Sequence, residues 1–152
     1  MPSTRESTRL PKLPPLPRAD TAPPLTSIFF SALAQSLQAN TPSGGGTVDS
    51  QIWSRSLTGA LQRLYTYTRA RPPSRTLVDP LQAFIDTLAK DPAGFGAAVK
   101  AAGDAALATR DLTAKAGRSA YVEGDRLRQE KVPDPGAWGV KAIVEGLFGA
   151  RQ

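Results

Sequence analysis

The chain has 152 residues, with 19 lysines and arginines against 13 acids and neither cysteine nor histidine. That limits it to one domain and removes disulfides, thiolate and imidazole metal ligands, and the commonest general base. The net charge of +6 is spread over three groups with acids among them: Arg5, Arg9, Lys12 and Arg18; Arg63, Arg69, Arg71 and Arg75; and Arg110, Lys115, Arg118, Arg126, Arg128 and Lys131. No dense basic block and no nucleic-acid-binding motif appears, so nucleic acid is not an expected partner. No apolar run has signal-peptide or membrane-spanning length, and a cytoplasmic protein without membrane contact is expected.

Residues 1–24, rich in Pro, Ser, Thr and Arg, are expected to be a disordered arm, and residues 25–152 the folded domain. The first helix is expected from Leu25 to Ala39. Leu25, Ile28, Phe29, Ala32, Leu33, Ser36 and Leu37 form one stripe of it, and Thr26 or Ser27 helps cap its start. The sequence NTPSGGGT breaks it. A second helix is expected from Val48 to Thr68 with Ile52, Trp53, Leu57, Ala60, Leu61, Leu64 and Tyr65 inward, stopped by Arg71-Pro72-Pro73-Ser74.

The third helix, Leu77 to Lys90, carries Leu77, Leu81, Phe84, Ile85 and Leu88 and tolerates Pro80 only in its first turn. A fourth is expected after Asp91-Pro92, read as N-cap and first helical residue, and runs through an alanine-rich stretch to Ala116 with Gly117 as its cap. A loop leads to Pro133. The last helix runs from Asp134-Pro135-Gly136 to Phe148 with Ala137, Val140, Ile143, Val144 and Leu147 facing the core. No strand pattern competes, so the fold class is all-α, an antiparallel helical bundle.

Taken locally, the residues with distinctive chemistry have structural readings. Asp134-Pro135 is a helix start where Gly136 relieves crowding, Thr76 caps the third helix, Gly117 ends the fourth, Tyr121 packs, and Arg118 is a surface charge or carboxylate partner. Gly44-Gly45-Gly46-Thr47 lacks both the preceding strand and the Gly-Lys-Ser/Thr of a phosphate loop, and is read as a flexible connection. The aspartates are scattered, and no two share an Asp-x-Asp spacing.

Four segments in order nevertheless resemble one family, the nucleotide-binding L (DhaL) domain of dihydroxyacetone (glycerone) kinases. Leu25 to Leu37 is similar to that family's third helix, with Ala22-Pro23-Pro24 where a Gly-Gly-Ser/Thr-Ser-Gly sequence normally stands. Arg75, Thr76 and Asp79 match its Gly-Asp-Arg-Thr-Met-Leu-Asp segment, with Leu77 for Met and Pro-Ser for Gly-Asp. Thr109 and Leu112, then Gly117-Arg118-Ser119-Ala120-Tyr121, follow its Ala-rich helix and Gly-Arg-Ala-Ser-Tyr segment, and Asp134-Pro135-Gly136-Ala137 matches its Asp-Pro-Gly-Ala loop. The resemblance implies an incomplete DhaL helical barrel, N-terminally truncated.

It further implies ATP or ADP as cofactor, bound at its adenosine end by Thr76, Leu77, Asp134, Pro135 and Gly136. The family role is ATP-dependent phosphorylation of dihydroxyacetone in glycerol metabolism. The family's magnesium loop, Gly-Asp-Gly-Asp-Cys-Gly, has no counterpart here, so no magnesium site and no catalytic residue is assigned. The family's separate K domain holds dihydroxyacetone through a histidine, which this chain lacks. The chain alone is therefore expected to be inactive. Its expected partners are a K domain or a second copy, joined through an apolar groove exposing some of Phe29, Phe30 and Leu33. The alternative is a non-catalytic helical binding module, a pseudokinase remnant.

Overall fold

Helix α1, Leu25–Asn40, opens a computed structural model that describes residues 24–43, 46–113 and 131–150. It buries Phe29, Ala32 and Leu33, the middle of the expected stripe. Its start is not capped by Thr26 or Ser27. Those residues already lie in the first turn, Pro24 takes the N-cap position, and its carbonyl accepts from Ser27 N at 2.8 Å and Ile28 N at 3.3 Å. At the other end Thr41 returns both its amide (2.9 Å) and its hydroxyl (2.7 Å) to the Leu37 carbonyl.

Helix α2, Ser50–Leu64, is shorter than the periodicity suggests. Asp49 fixes its start by accepting from Ile52 N at 2.8 Å. Its end comes where Thr66 N and Tyr67 N turn back to Arg63 O and Leu64 O. Ala60, Leu61 and Leu64 are buried as expected, but Trp53 is 44% exposed. It sits in the first turn, beyond the packed part of the stripe. Two serines are buried instead: Ser54 donates to Leu88 O at 3.1 Å, and Ser56 accepts from Asn40 Nδ2 at 3.3 Å. With helices on both flanks, α2 needs side chains there that are small and can be hydrogen-bonded.

Helix α3, Val78–Lys90, buries Val78, Leu81, Phe84, Ile85 and Leu88 and starts one residue later than expected. Helix α4, Phe95–Ala108, does not start at Asp91-Pro92. The Asp91 carboxylate is taken up locally by Ala93 N (3.1 Å) while its carbonyl accepts from Gly94 N (3.0 Å), a turn that delays the helix to Phe95. Nor does α4 reach Ala116. A single 3₁₀ turn, Thr109–Asp111, follows it and Leu112 is extended. Thr109 explains the stop, because its hydroxyl donates to Ala106 O at 2.6 Å in place of a continuing ladder.

The last helix, α5, spans Pro135–Gly149 behind an Asp134 N-cap that accepts from Ala137 N at 2.9 Å. Ala137 and Val144 are buried and Val140 packs against the core, but Ile143 and Leu147 are 50% and 55% exposed. Phe148 takes the inward place, stacked on Phe95 at 6.1 Å, which meets Phe84 edge-on at 5.5 Å. Among the described residues the protein is all-α, with no strand. The arm as far as Pro23, the Gly117 cap and Arg118 to Tyr121 lie outside the described residues.

Paired contacts fix the directions. Asn40 meets Ser56 while Ser36 lies against Gly59, Ser54 meets Leu88 while Tyr65 meets Gln82, and Gly96 lies by Phe148 while Gly103 lies by Lys141 and Glu145. The pairs α1 and α2, α2 and α3, and α4 and α5 are therefore antiparallel. A Cβ on Gly59 would stand 2.7 Å from Ser36 Oγ, so this glycine lets α1 and α2 approach closely. At the outer ends of the array, α1 contains no charged residue, and α5 carries only Lys141 and Glu145, paired with each other at 2.8 Å. No described helix is long and apolar enough to cross a membrane.

Candidate functional site

The segment Ser74-Arg75-Thr76 is shaped by one carboxylate. Asp79, in the first turn of α3, accepts from Ser74 N at 2.9 Å, Thr76 N at 2.8 Å and Ser74 Oγ at 3.2 Å. Thr76 Oγ1 accepts in turn from Val78 N at 3.2 Å, so Thr76 does serve the start of α3, from one residue before its N-cap. Asp79 is itself buried. Among the described residues its partners are N–H and O–H donors and it forms no ion pair, which is how a buried carboxyl is kept without a salt bridge.

Held between two amides that share this acceptor, Arg75 adopts φ 58°, the left-handed region, and is 2% exposed. Among the described residues its guanidinium donates to backbone carbonyls: Nη1 to Thr109 O at 3.1 Å and Leu112 O at 3.4 Å, and Nη2 to Val132 O at 2.8 Å. The first two carbonyls lie at and just past the C-terminal end of α4, where the helix dipole favours a cation. The third precedes α5 by three residues.

A second tie runs parallel to the first. Thr109, fully buried, accepts Asp134 N at 2.9 Å on the same hydroxyl that donates to Ala106 O. The start of α5 is thereby fixed to the end of α4 by Thr109, and to the start of α3 by Arg75. The two helix starts meet where a Cβ on Gly136 would lie 3.3 Å from Leu77 Cβ and 3.0 Å from Asp134 Oδ2. Any larger residue at 136 would crowd this approach.

The five expected binding residues are thus brought together, in two different situations. Thr76 and Asp134 are buried, the first holding the turn before α3, the second capping α5. Pro135 and Gly136 are exposed and Leu77 half-buried, so the surface at this junction belongs to those three. Sequence reasoning took Arg75, Thr109 and Asp79 as matched positions without seeing that they build the junction. The signal for Asp79 was its place in the first turn of a helix after a Ser-Arg-Thr turn. For Arg75 no local signal exists, since its partners lie 34 to 57 positions away. Among the described residues no group of three or more carboxylates could hold a metal ion.

A family model described as the DAK2 domain matches residues 21–149. The chain is 45% identical over 131 residues to a dihydroxyacetone kinase of Komagataella pastoris, covering 83% of this chain and 21% of that protein. It is 42% identical over 130 residues to dihydroxyacetone kinase 2 of Saccharomyces cerevisiae, covering 83% of this chain and 21% of that protein. To a triokinase/FMN cyclase of Rattus norvegicus it is 35% identical over 135 residues, covering 84% and 22%. The chain therefore spans about a fifth of the length of these curated relatives. No solved structure matches it.

Proposed function

Because the chain belongs to the DAK2 domain family, we propose that it is the nucleotide-binding portion of a dihydroxyacetone-kinase type of phosphotransferase, with ATP or ADP as its ligand. The observation that carries this reading is the junction of two helix starts, where the half-buried Leu77 lies against the exposed Pro135-Gly136 step. An apolar ledge beside a side-chain-free backbone suits the flat face of a purine and its ribose. When bound, the nucleotide supplies the phosphoryl group.

The protein's own residues bind and orient. Leu77, Pro135 and Gly136 form the contact surface, while Thr76 and Asp134 keep the two helix starts in place through the bonds described above. The described residues do not fit the magnesium ion that phosphoryl transfer ordinarily requires, because no carboxylate cluster is available to hold it. The chain alone is accordingly a weak nucleotide binder and not a competent kinase. It works in the cytoplasm in this reading. Its partners are a domain that holds dihydroxyacetone and, through the outer face of α5, a second copy of the chain.

Calorimetry with ADP tests the reading: weak binding that is unchanged by magnesium is expected, and Gly136→Leu abolishes it by filling the junction. Tight, magnesium-dependent binding would show a metal site that the described carboxylates do not form. In a coupled assay with ATP, magnesium and dihydroxyacetone, product stays at background with the chain alone. It stays there when a dihydroxyacetone-holding domain is added. Robust turnover in either mixture, lost in Asp134→Ala, would make the chain a working kinase subunit.

A further inference from the structure

We infer that Arg75 is a positioning residue for the nucleotide junction: through three backbone carbonyls it sets the distance between the start of α3 and the start of α5. The inference rests on the nucleotide-binding reading for its functional half, and on geometry alone for its structural half. The hydrogen bonds of the Arg75 guanidinium go to neither Leu77 nor Gly136. It acts on them through Val132 O, two residues before Asp134, and through Thr109 O and Leu112 O at the end of α4.

Three features separate this side chain from an ordinary buried cation. Among the described residues its hydrogen-bond partners are carbonyls, from two segments far apart in sequence, so its removal uncouples those segments rather than unpairing a carboxylate. The guanidinium is a planar fork with five donors, and a lysine, a point charge with three, cannot span the same acceptors in the same directions. Finally, the backbone at position 75 is held at φ 58° by Asp79 acting on the amides either side, so the direction of the fork is fixed from its own end too. Clamp and junction therefore share the short segment, Arg75 to Leu77, that leads into α3. A ledge made of Leu77 from one helix and Pro135-Gly136 from another has a width that only such a cross-tie defines, and a displacement of about 1 Å in a binding geometry can cost one to two orders of magnitude.

The test compares the full chain with Arg75→Lys, which keeps the charge and loses the fork. Two quantities are read: ADP affinity by calorimetry, and amide hydrogen exchange at Asp134, Gly136, Ala137 and Leu112 by NMR. The expected result is faster exchange at those amides, unchanged exchange in the middle of α1 and α2, and ADP binding weakened about tenfold or more. Equal ADP affinity in the two proteins, or exchange that rises uniformly, overturns the inference. If the unaltered chain does not bind ADP while the exchange pattern changes locally as stated, the nucleotide reading fails and the clamp stands. Should Arg75→Lys not fold, Arg75→Gly, whose residue favours the φ found here, is measured with ethylguanidinium added; recovery of local protection and ADP affinity supports the clamp. Failure of both variants to fold under all these conditions would make Arg75 a requirement of the whole fold, and the specific positioning role would be wrong.

Discussion

At the scale of single residues, the junction depends on a few buried hydrogen bonds. Thr109→Val keeps the shape of a fully buried side chain but removes the acceptor for Asp134 N and the donor to Ala106 O. Leaving a buried amide unsatisfied costs about 1–3 kcal/mol, so urea denaturation should show a loss in that range with little change in slope. Thr109→Ser, which keeps the hydroxyl, should cost less. Tyr65 gives a second readout. Burial pushes its phenol above 10.0, helped by Asp86 and Asp79, while Arg71, whose guanidinium lies 3.5 Å from the ring centroid, pulls it down. The hydroxyl also bonds Gln82. As pH rises past about 10, the unfolded chain releases the Tyr65 proton before the folded one does, so the folded state binds more protons and stability falls. That fall begins at the ordinary tyrosine value and ends at the raised one. Alkaline denaturation of Tyr65→Phe should lack this component, and an identical pH profile in both proteins would show that the phenol does not titrate differently on folding.

Helix by helix, the structure separates what periodicity reveals from what only tertiary contact decides. The five α-helices and their order were legible because each has an apolar stripe and a breaker after it: Pro-Gly-rich residues after α1 and Arg71-Pro72-Pro73 after α2. Their ends were less so. Asp91-Pro92 has the chemistry of a helix start, yet the aspartate closes its own turn with Ala93 and Gly94. Asp134-Pro135 has the same chemistry and does start a helix. The two differ in what the carboxylate takes up: Asp91 accepts from Ala93 N two residues on and closes a turn, whereas Asp134, its amide held by Thr109, accepts from Ala137 N three residues on, the geometry of a helix cap. The candidate site was legible as five matched positions, but which of them are buried supports and which form surface was not. Asp134→Ala tests the element directly. Losing this cap should cost about 0.5–2 kcal/mol, measured by thermal melting, with α5 amides losing protection before those of α3; simultaneous loss in both helices would contradict a local cap.

On the scale of the whole molecule, the ends of the array differ from its middle. Of Phe29, Phe30 and Leu33, some of which are expected to be uncovered, Phe30 is exposed, whereas Phe29 and Leu33 are buried. On α5 the outward positions include Trp138, Gly139, Ile143, Gly146 and Leu147, with one exposed charge beside them, Glu145, paired with Lys141, whose ammonium lies over the Trp138 ring. A helix apolar on its outer side behaves as an interface, so sedimentation velocity should show association that grows with concentration. The double substitution Ile143→Lys with Leu147→Glu should return the chain to monomer with stability changed by less than about 0.5 kcal/mol. A wild-type chain that remains monomeric at high concentration would remove the second copy from its partners. The clamp at Arg75 has a further consequence, for how this fold tolerates sequence drift. Its acceptors at Leu112 and Val132 are carbonyls, which every amino acid supplies. Those two positions can wander through many side chains without loosening the tie, whereas position 75 has no synonym among the twenty residues. The mutational risk of three distant segments is concentrated in a single codon.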